Sequence, residues 1–89
     1  MKEIKVTVID PVGLHARPAT VAVNAASKFK NCDVNVAFNG REVSMKSIMG
    51  VMSLAVPSQS EITISCSGDD EDAAIAAIED VLKAQKIIG

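Results

Sequence analysis

The chain has no tryptophan and no tyrosine, and only two phenylalanines, Phe29 and Phe38. That removes the platform on which nucleic-acid bases stack. A basic excess is missing too. Nine Lys and Arg against eleven Asp and Glu give a net charge of −2, whereas gripping a phosphate backbone needs a clear positive surplus, so no nucleic-acid partner is expected. No apolar run approaches the roughly 20 residues that cross a bilayer. The opening "MKEIKVTVID" alternates polar and apolar residues and lacks the continuous hydrophobic stretch of a signal peptide. A cytoplasmic protein with no membrane insertion is the expectation. The two cysteines, Cys32 and Cys66, lack the short spacing of a zinc or redox motif; the sequence is compatible with a disulfide, but in a cytosolic chain they read as two buried thiols. There is one histidine, no Walker loop and no pair of carboxylates near that histidine, so no metal and no cofactor is implied.

What is present suffices for one small domain over residues 1–89. A hydrophobic content of 48% is enough aliphatic surface to offset chain entropy, which excludes a disordered chain. From Ile4 to Ile9, period-two alternation places Ile4, Val6 and Val8 on one face of a strand, ended by Asp10, Pro11 and Gly13. Pro18, Ala22, Ala25, Ala26 and Phe29 then follow helical spacing, so a helix should run from about Ala16 to Lys28. Its facing alanines would let it lie close to a sheet. "CDVNVAF" and "REVSM" form the next two strands, joined at Asn39-Gly40, a dipeptide suited to the positive φ angles of a type I′ turn. Cys32, Val34, Val36 and Phe38 share one side, and Val43 and Met45 point the same way.

Ser47 is a good N-cap for a short helix over about Ser47 to Leu54. After the loop "PSQS", the strand "EITISCS" turns Ile62, Ile64 and Cys66 inward. Gly68, Asp69 and Asp70 launch a last helix whose apolar stripe is Ala74, Ile75, Ile78, Val81 and Leu82. Its acids lie early and Lys83 and Lys86 late, matching the helix dipole. The order is β-α-β-β-α-β-α. Each strand is apolar on one face only, which makes the fold class α+β, a two-layer open-faced sandwich with its helices on one side of the sheet.

Within this frame the stretch "GLHARPAT" is unusual. An isolated histidine is most often a packing or surface residue. His15, however, falls where a helix begins, where backbone N–H groups lack intrahelical acceptors and the dipole is positive. Such an end receives phosphate readily. Arg17 adds a permanent guanidinium suited to bidentate phosphate contact, and Pro18 sits in the first turn, where its missing N–H costs nothing. A neutral imidazole nitrogen can attack phosphorus, and the amides and guanidinium can receive the charge on the transferred oxygens. A shallow, exposed site of this kind suits a relay better than a deep active site. A domain this small cannot also enclose a nucleotide, so the donor and acceptor of phosphate are expected to be other proteins.

"GLHARPAT" followed by "KSIMGVMSL" resembles the HPr proteins, the histidine-containing phosphocarriers of the bacterial phosphoenolpyruvate-dependent sugar phosphotransferase system. The resemblance spans essentially the whole chain, and two motifs in the right order make it specific. It implies a four-stranded antiparallel sheet with three helices. It implies that His15 accepts a phosphoryl group on Nδ1 from Enzyme I and passes it to the IIA domains of sugar permeases. The chain would then be a carrier forming a phosphohistidine intermediate rather than an enzyme with turnover of its own. Arg17 would contact the phosphate together with the backbone amides of Ala16 and Arg17.

A serine at a helix start is most often only a cap. With its neighbours, Ser47 in "KSIMG" resembles the regulatory serine of HPr proteins from low-GC Gram-positive bacteria. The resemblance implies phosphorylation there by HPr kinase/phosphorylase, and a corepressor role with the catabolite control protein in carbon catabolite repression. Ile48, Met49 and Met52 are residue types more often found in a core. A segment this short cannot bury all of them, so some should be exposed. The resemblance implies a docking patch for Enzyme I and IIA domains made of Ala16, Arg17, Thr20, Ile48, Met49 and Met52. Contacts there should be small and transient, and the protein a monomer.

Several positions depart from the family pattern. Val12 stands where many relatives carry a polar side chain, which removes one possible phosphate hydrogen bond. Ala55 and the "PSQS" loop stand where glycines are common, and "KFKNCDV" holds an extra residue. These bear on partner preference and loop shape. Among alternatives, a purely regulatory module of the Crh type keeps the serine but lacks the histidine, and the presence of His15 and Arg17 speaks against it. A nitrogen-related paralogue is opposed by "KSIMG", and an RNA-binding α+β domain by charge and missing aromatics.

Overall fold

A computed structural model describes residues 1–89. Strand β1 covers Lys2–Thr7, β2 Cys32–Phe38, β3 Arg41–Ser44 and β4 Glu61–Gly68. Helix α1 covers Ala16–Ser27, α2 Ile48–Ser53 and α3 Glu71–Ala84. The four strands form one antiparallel sheet in the order β1-β4-β2-β3, with three helices completing the open sandwich. Register aligns the apolar positions of neighbouring strands: Ile4 lies opposite Ile64, which lies opposite Val36, which lies opposite Val43. Since a slip of one residue would turn each set toward water, burial of this face fixes the pairing. The core comprises 24 buried residues and includes five alanines of α1 and α3, which permit close helix–sheet approach.

Helix α2 is tied down by cations at both ends. The Lys46 Nζ donates to the carbonyls of Phe29 (2.8 Å) and Cys32 (2.6 Å), and Arg41 Nη1 donates to that of Ser53 (3.0 Å). The hairpin turn has Asn39 at φ 54 and Gly40 at φ 83, the left-handed values the dipeptide tolerates.

Some expectations need correction. β1 ends at Thr7 rather than Ile9, and Val8 instead forms an isolated bridge with Ile88. Met45 lies just beyond β3, fully buried, with its N–H on the Val34 carbonyl (2.8 Å). Val43, Val81, Phe29 and Phe38, read on the apolar faces, are half-buried and pack against the core. Lys86 is not in the last helix. It adopts φ 59, and the chain doubles back so that Ile87 and Ile88 are buried against β1. The two segments join through the N–H of Ile9 on the Ile87 carbonyl (2.8 Å) and that of Gly89 on the Thr7 carbonyl (3.2 Å).

Cys32 and Cys66 are both buried and both free. Burial, and then the neighbouring Cys32 and Glu71, raise the Cys66 thiol above its ordinary value of 9.0, with Lys46 opposing in part. The folded state therefore holds this proton more tightly than the unfolded chain, so stability from this group is complete below the unfolded value and declines as pH climbs past it. Urea unfolding from about pH 8 to about pH 10.5 should show the unfolding free energy falling, and Cys66→Ala should flatten that fall.

Candidate functional site

Two loops meet to build the site. One leaves β1 and enters α1; the other joins α2 to β4. Val8 is fastened between Ser60 and Gln59, with its N–H on the Ser60 carbonyl (2.9 Å) and its carbonyl accepting from Gln59 (2.7 Å). Farther along, Gly13 adopts φ 83, and a Cβ there would stand 2.1 Å from the Val56 carbonyl oxygen. Only glycine fits. The N–H of Leu14 donates to that same oxygen (2.9 Å), and the Leu14 side chain enters the core.

With Leu14 anchored, His15 becomes the N-cap of α1 in an extended conformation, φ −85 and ψ −166. Its side chain makes no capping bond and is 36% exposed. The first amides of α1, those of Ala16 and Arg17, find no acceptor in the preceding loop. Their positive ends are thus available beside the imidazole. Pro18 is buried in the first turn. The ring is not interred in the aliphatic core.

A residue that sequence reasoning treated only as a strand terminator lies at the centre. Asp10 is 4% exposed, and its carboxylate gathers three groups. Oδ1 accepts the Val12 N–H (3.0 Å) and lies 3.3 Å from His15 Nε2, while Oδ2 accepts from Arg17 Nη2 (3.2 Å). The contact with Val12 closes an Asx-turn, and "DPVG" carries that signal. No local pattern announces the contacts with His15 and Arg17.

The remaining site residues fall as follows. Ala16, Arg17 and Thr20 are exposed along α1, and the Thr20 hydroxyl donates to the Ala16 carbonyl (2.8 Å). Ile48, Met49 and Met52 are also exposed, Met49 at 84%, whereas Val51 and Leu54 of the same segment are buried. Ser47 is exposed and caps α2, its Oγ accepting from the Gly50 N–H (3.1 Å). A shallow concavity of about 390 Å³ adjoins the imidazole, lined by Val12, Leu14, Met52, Ala55, Val56 and Pro57. Ala55, Val56 and Pro57 were not foreseen beside His15, because their proximity to it arises only where the two loops cross.

The family model describing the phosphorylation site of the HPr component of the phosphotransferase system matches residues 2–84. The chain belongs to the HPr family. A histidine-containing phosphocarrier protein from Mycoplasma is 39% identical, with 98% of each chain covered and a TM-score of 0.93. An HPr from Thermoanaerobacter tengcongensis is 42% identical over 98% of this chain and 96% of that one, with a TM-score of 0.89. The Crh protein of Bacillus subtilis, named for catabolite repression and for a swapped dimer, is 39% identical, covering 96% and 97% of the two chains at a TM-score of 0.73. The HPr family is the phosphocarrier family of the phosphotransferase system. No helix of this member is long and apolar enough to cross a membrane.

The departure at Ala55 now has a physical content. Just past the C-cap of α2 it adopts φ 52, a left-handed conformation that costs an L-residue with a Cβ about 1–2 kcal/mol. Part of that gain would be returned through the greater freedom of glycine in the unfolded chain. Ala55→Gly should therefore raise stability by about 0.5–1 kcal/mol, read as a higher urea midpoint at unchanged slope.

Proposed function

We propose that this HPr-family member takes up a phosphoryl group on Nδ1 of His15 from Enzyme I and delivers it to IIA domains of sugar permeases. The observation that carries this reading is the exposed imidazole at the start of α1, with unspent amides behind it and the Arg17 guanidinium sharing its carboxylate neighbour. Attack by the Nδ1 lone pair forms the N–P bond as the donor's bond to phosphorus breaks. The Ala16 and Arg17 amides and the guanidinium take the charge of the equatorial oxygens. Openness to solvent suits a carrier without turnover, since the partner brings the rest of each active site. Docking falls to Ala16, Arg17, Thr20, Ile48, Met49 and Met52, an exposed and partly apolar surface in which flexible methionines can fit more than one partner. The protein acts as a monomer in the cytoplasm.

The same face carries the regulatory part of the proposal. The Ser47 hydroxyl is exposed at a helix start, where a dianion is tolerated. HPr kinase/phosphorylase would modify it, adding negative charge beside the docking patch and so hindering Enzyme I, whose surface is acidic in this family. The serine-phosphorylated form would serve the catabolite control protein as corepressor. A purely regulatory role of the Crh type is disfavoured by the presence of His15 and Arg17.

Incubation with phosphoenolpyruvate, Mg²⁺ and a cognate Enzyme I should add one phosphate, labile in acid and stable in alkali, and His15→Ala should abolish it. Persistent labelling of that variant would reject His15 as the acceptor. Independently, HPr kinase and ATP should label Ser47 in an acid-stable form. Equal labelling of the wild type and Ser47→Ala would defeat the regulatory assignment.

A further inference from the structure

Asp10 has no part in the mechanism described so far, yet it is the one almost fully buried carboxylate in the molecule. Removing such a charge from water is costly unless donors surround it. Here the Val12 N–H and the Arg17 guanidinium supply them, and both place the carboxylate against the imidazole of His15.

We infer that Asp10 is a positioning residue for phosphoryl transfer: it holds the His15 proton on Nε2 and so keeps Nδ1 free as nucleophile and leaving group. This inference rests on His15 being the phosphoryl acceptor. A carboxylate can only accept a proton, so with Nε2 3.3 Å from Oδ1 a lone pair on that nitrogen is repelled and a proton on it is attracted. With its one proton on Nε2, the neutral ring has its lone pair on Nδ1. When Nδ1 attacks, the N–P bond forms and the donor departs with its electron pair. The ring retains its Nε2 proton and becomes cationic beside Asp10. On discharge the N–P bond breaks, its electron pair returns to Nδ1, and the ring leaves as neutral imidazole. Without the carboxylate the phosphorylated ring would shed the Nε2 proton more easily, and an imidazolate is a far poorer leaving group. Asp10 thereby keeps the carried group transferable.

Arg17 gains a second function in this arrangement. Its guanidinium shares the carboxylate through Oδ2, which holds it beside the imidazole before any phosphate arrives. The cation is thus preorganised, and the entropy of ordering a long side chain is lost in folding rather than during transfer.

The test reads the two imidazole nitrogens of His15 by ¹⁵N NMR and the outward transfer rate separately. In the unmodified protein at neutral pH, the neutral ring should carry its proton on Nε2. A predominant Nδ1–H form overturns the proposal with no variant needed. Asp10→Ala removes the acceptor beside Nε2, so the preference for the Nε2–H form should be lost and the Nδ1–H form should grow. The same variant, once phosphorylated, should pass its group to a IIA domain roughly tenfold more slowly, a loss typical of removing a partner that orients a reactive imidazole. An unchanged nitrogen pattern, whatever the rate, overturns the proposal, because a merely structural Asp10 would give that result. Labelling that survives His15→Ala would instead defeat the carrier reading and leave the nitrogen measurement untouched.

Discussion

The carbonyl oxygen of Val56 is the point on which the site depends. It accepts the Leu14 N–H and occupies the space a side chain at position 13 would need. Because residue 13 is glycine, the loop leaving β1 and the loop entering β4 can touch. Leu14 is then drawn into the core, and the next residue is left at the surface as the N-cap of a helix. The exposure of His15 thus follows from the burial of its neighbour. A relay needs a reactive side chain that is both accessible and fixed in direction, and a buried anchor one residue away supplies both.

The same logic runs through α2. Lys46, just before it, binds the carbonyls of Phe29 and Cys32, Arg41 binds that of Ser53 at its other end, and Val51 and Leu54 enter the core. With its position settled by these contacts, the helix can leave Ile48, Met49 and Met52 in water. Exposed apolar side chains gathered on one short helix are a liability in a protein without partners, and a benefit in one that must bind several of them briefly. Strain gathers nearby as well. Ala55 and Gln59 both hold left-handed backbone in the segment that supplies the Val56 carbonyl. Such conformations persist where the surrounding contacts over-determine the chain.

Charge is distributed with similar economy. Asp10 is buried because Val12, Arg17 and His15 converge on it, and all three lie within seven residues of it along the chain. Its carboxylate connects the nucleophile to the cation that would receive the phosphate, so the loop's architecture and its chemistry share one group. By contrast, the pair Lys2–Asp72 is exposed and contributes little to stability.

What the amino-acid order determined by itself was periodic and local. The two-residue alternation of "IKVTV" and "EITIS", the helical spacing of Ala22, Ala25 and Ala26, the Asn39-Gly40 turn and the Ser47 cap all appear within a residue or two of where they were read. Each is decided by neighbours a few positions apart. The histidine at a helix start was legible for the same reason, and two motifs in order made the family legible. Tertiary structure alone decided the rest. Only the closed fold brings Ile88 to Val8 and Val56 to Gly13, pairings between segments some 40 to 80 residues apart that no local pattern encodes. It also selected which apolar residues of α2 face water, since Met52 and Val51 differ by direction rather than by type. Asp10 became a partner of His15 and Arg17 for the same reason: a turn residue acquires a chemical role only when the chain folds other groups onto it.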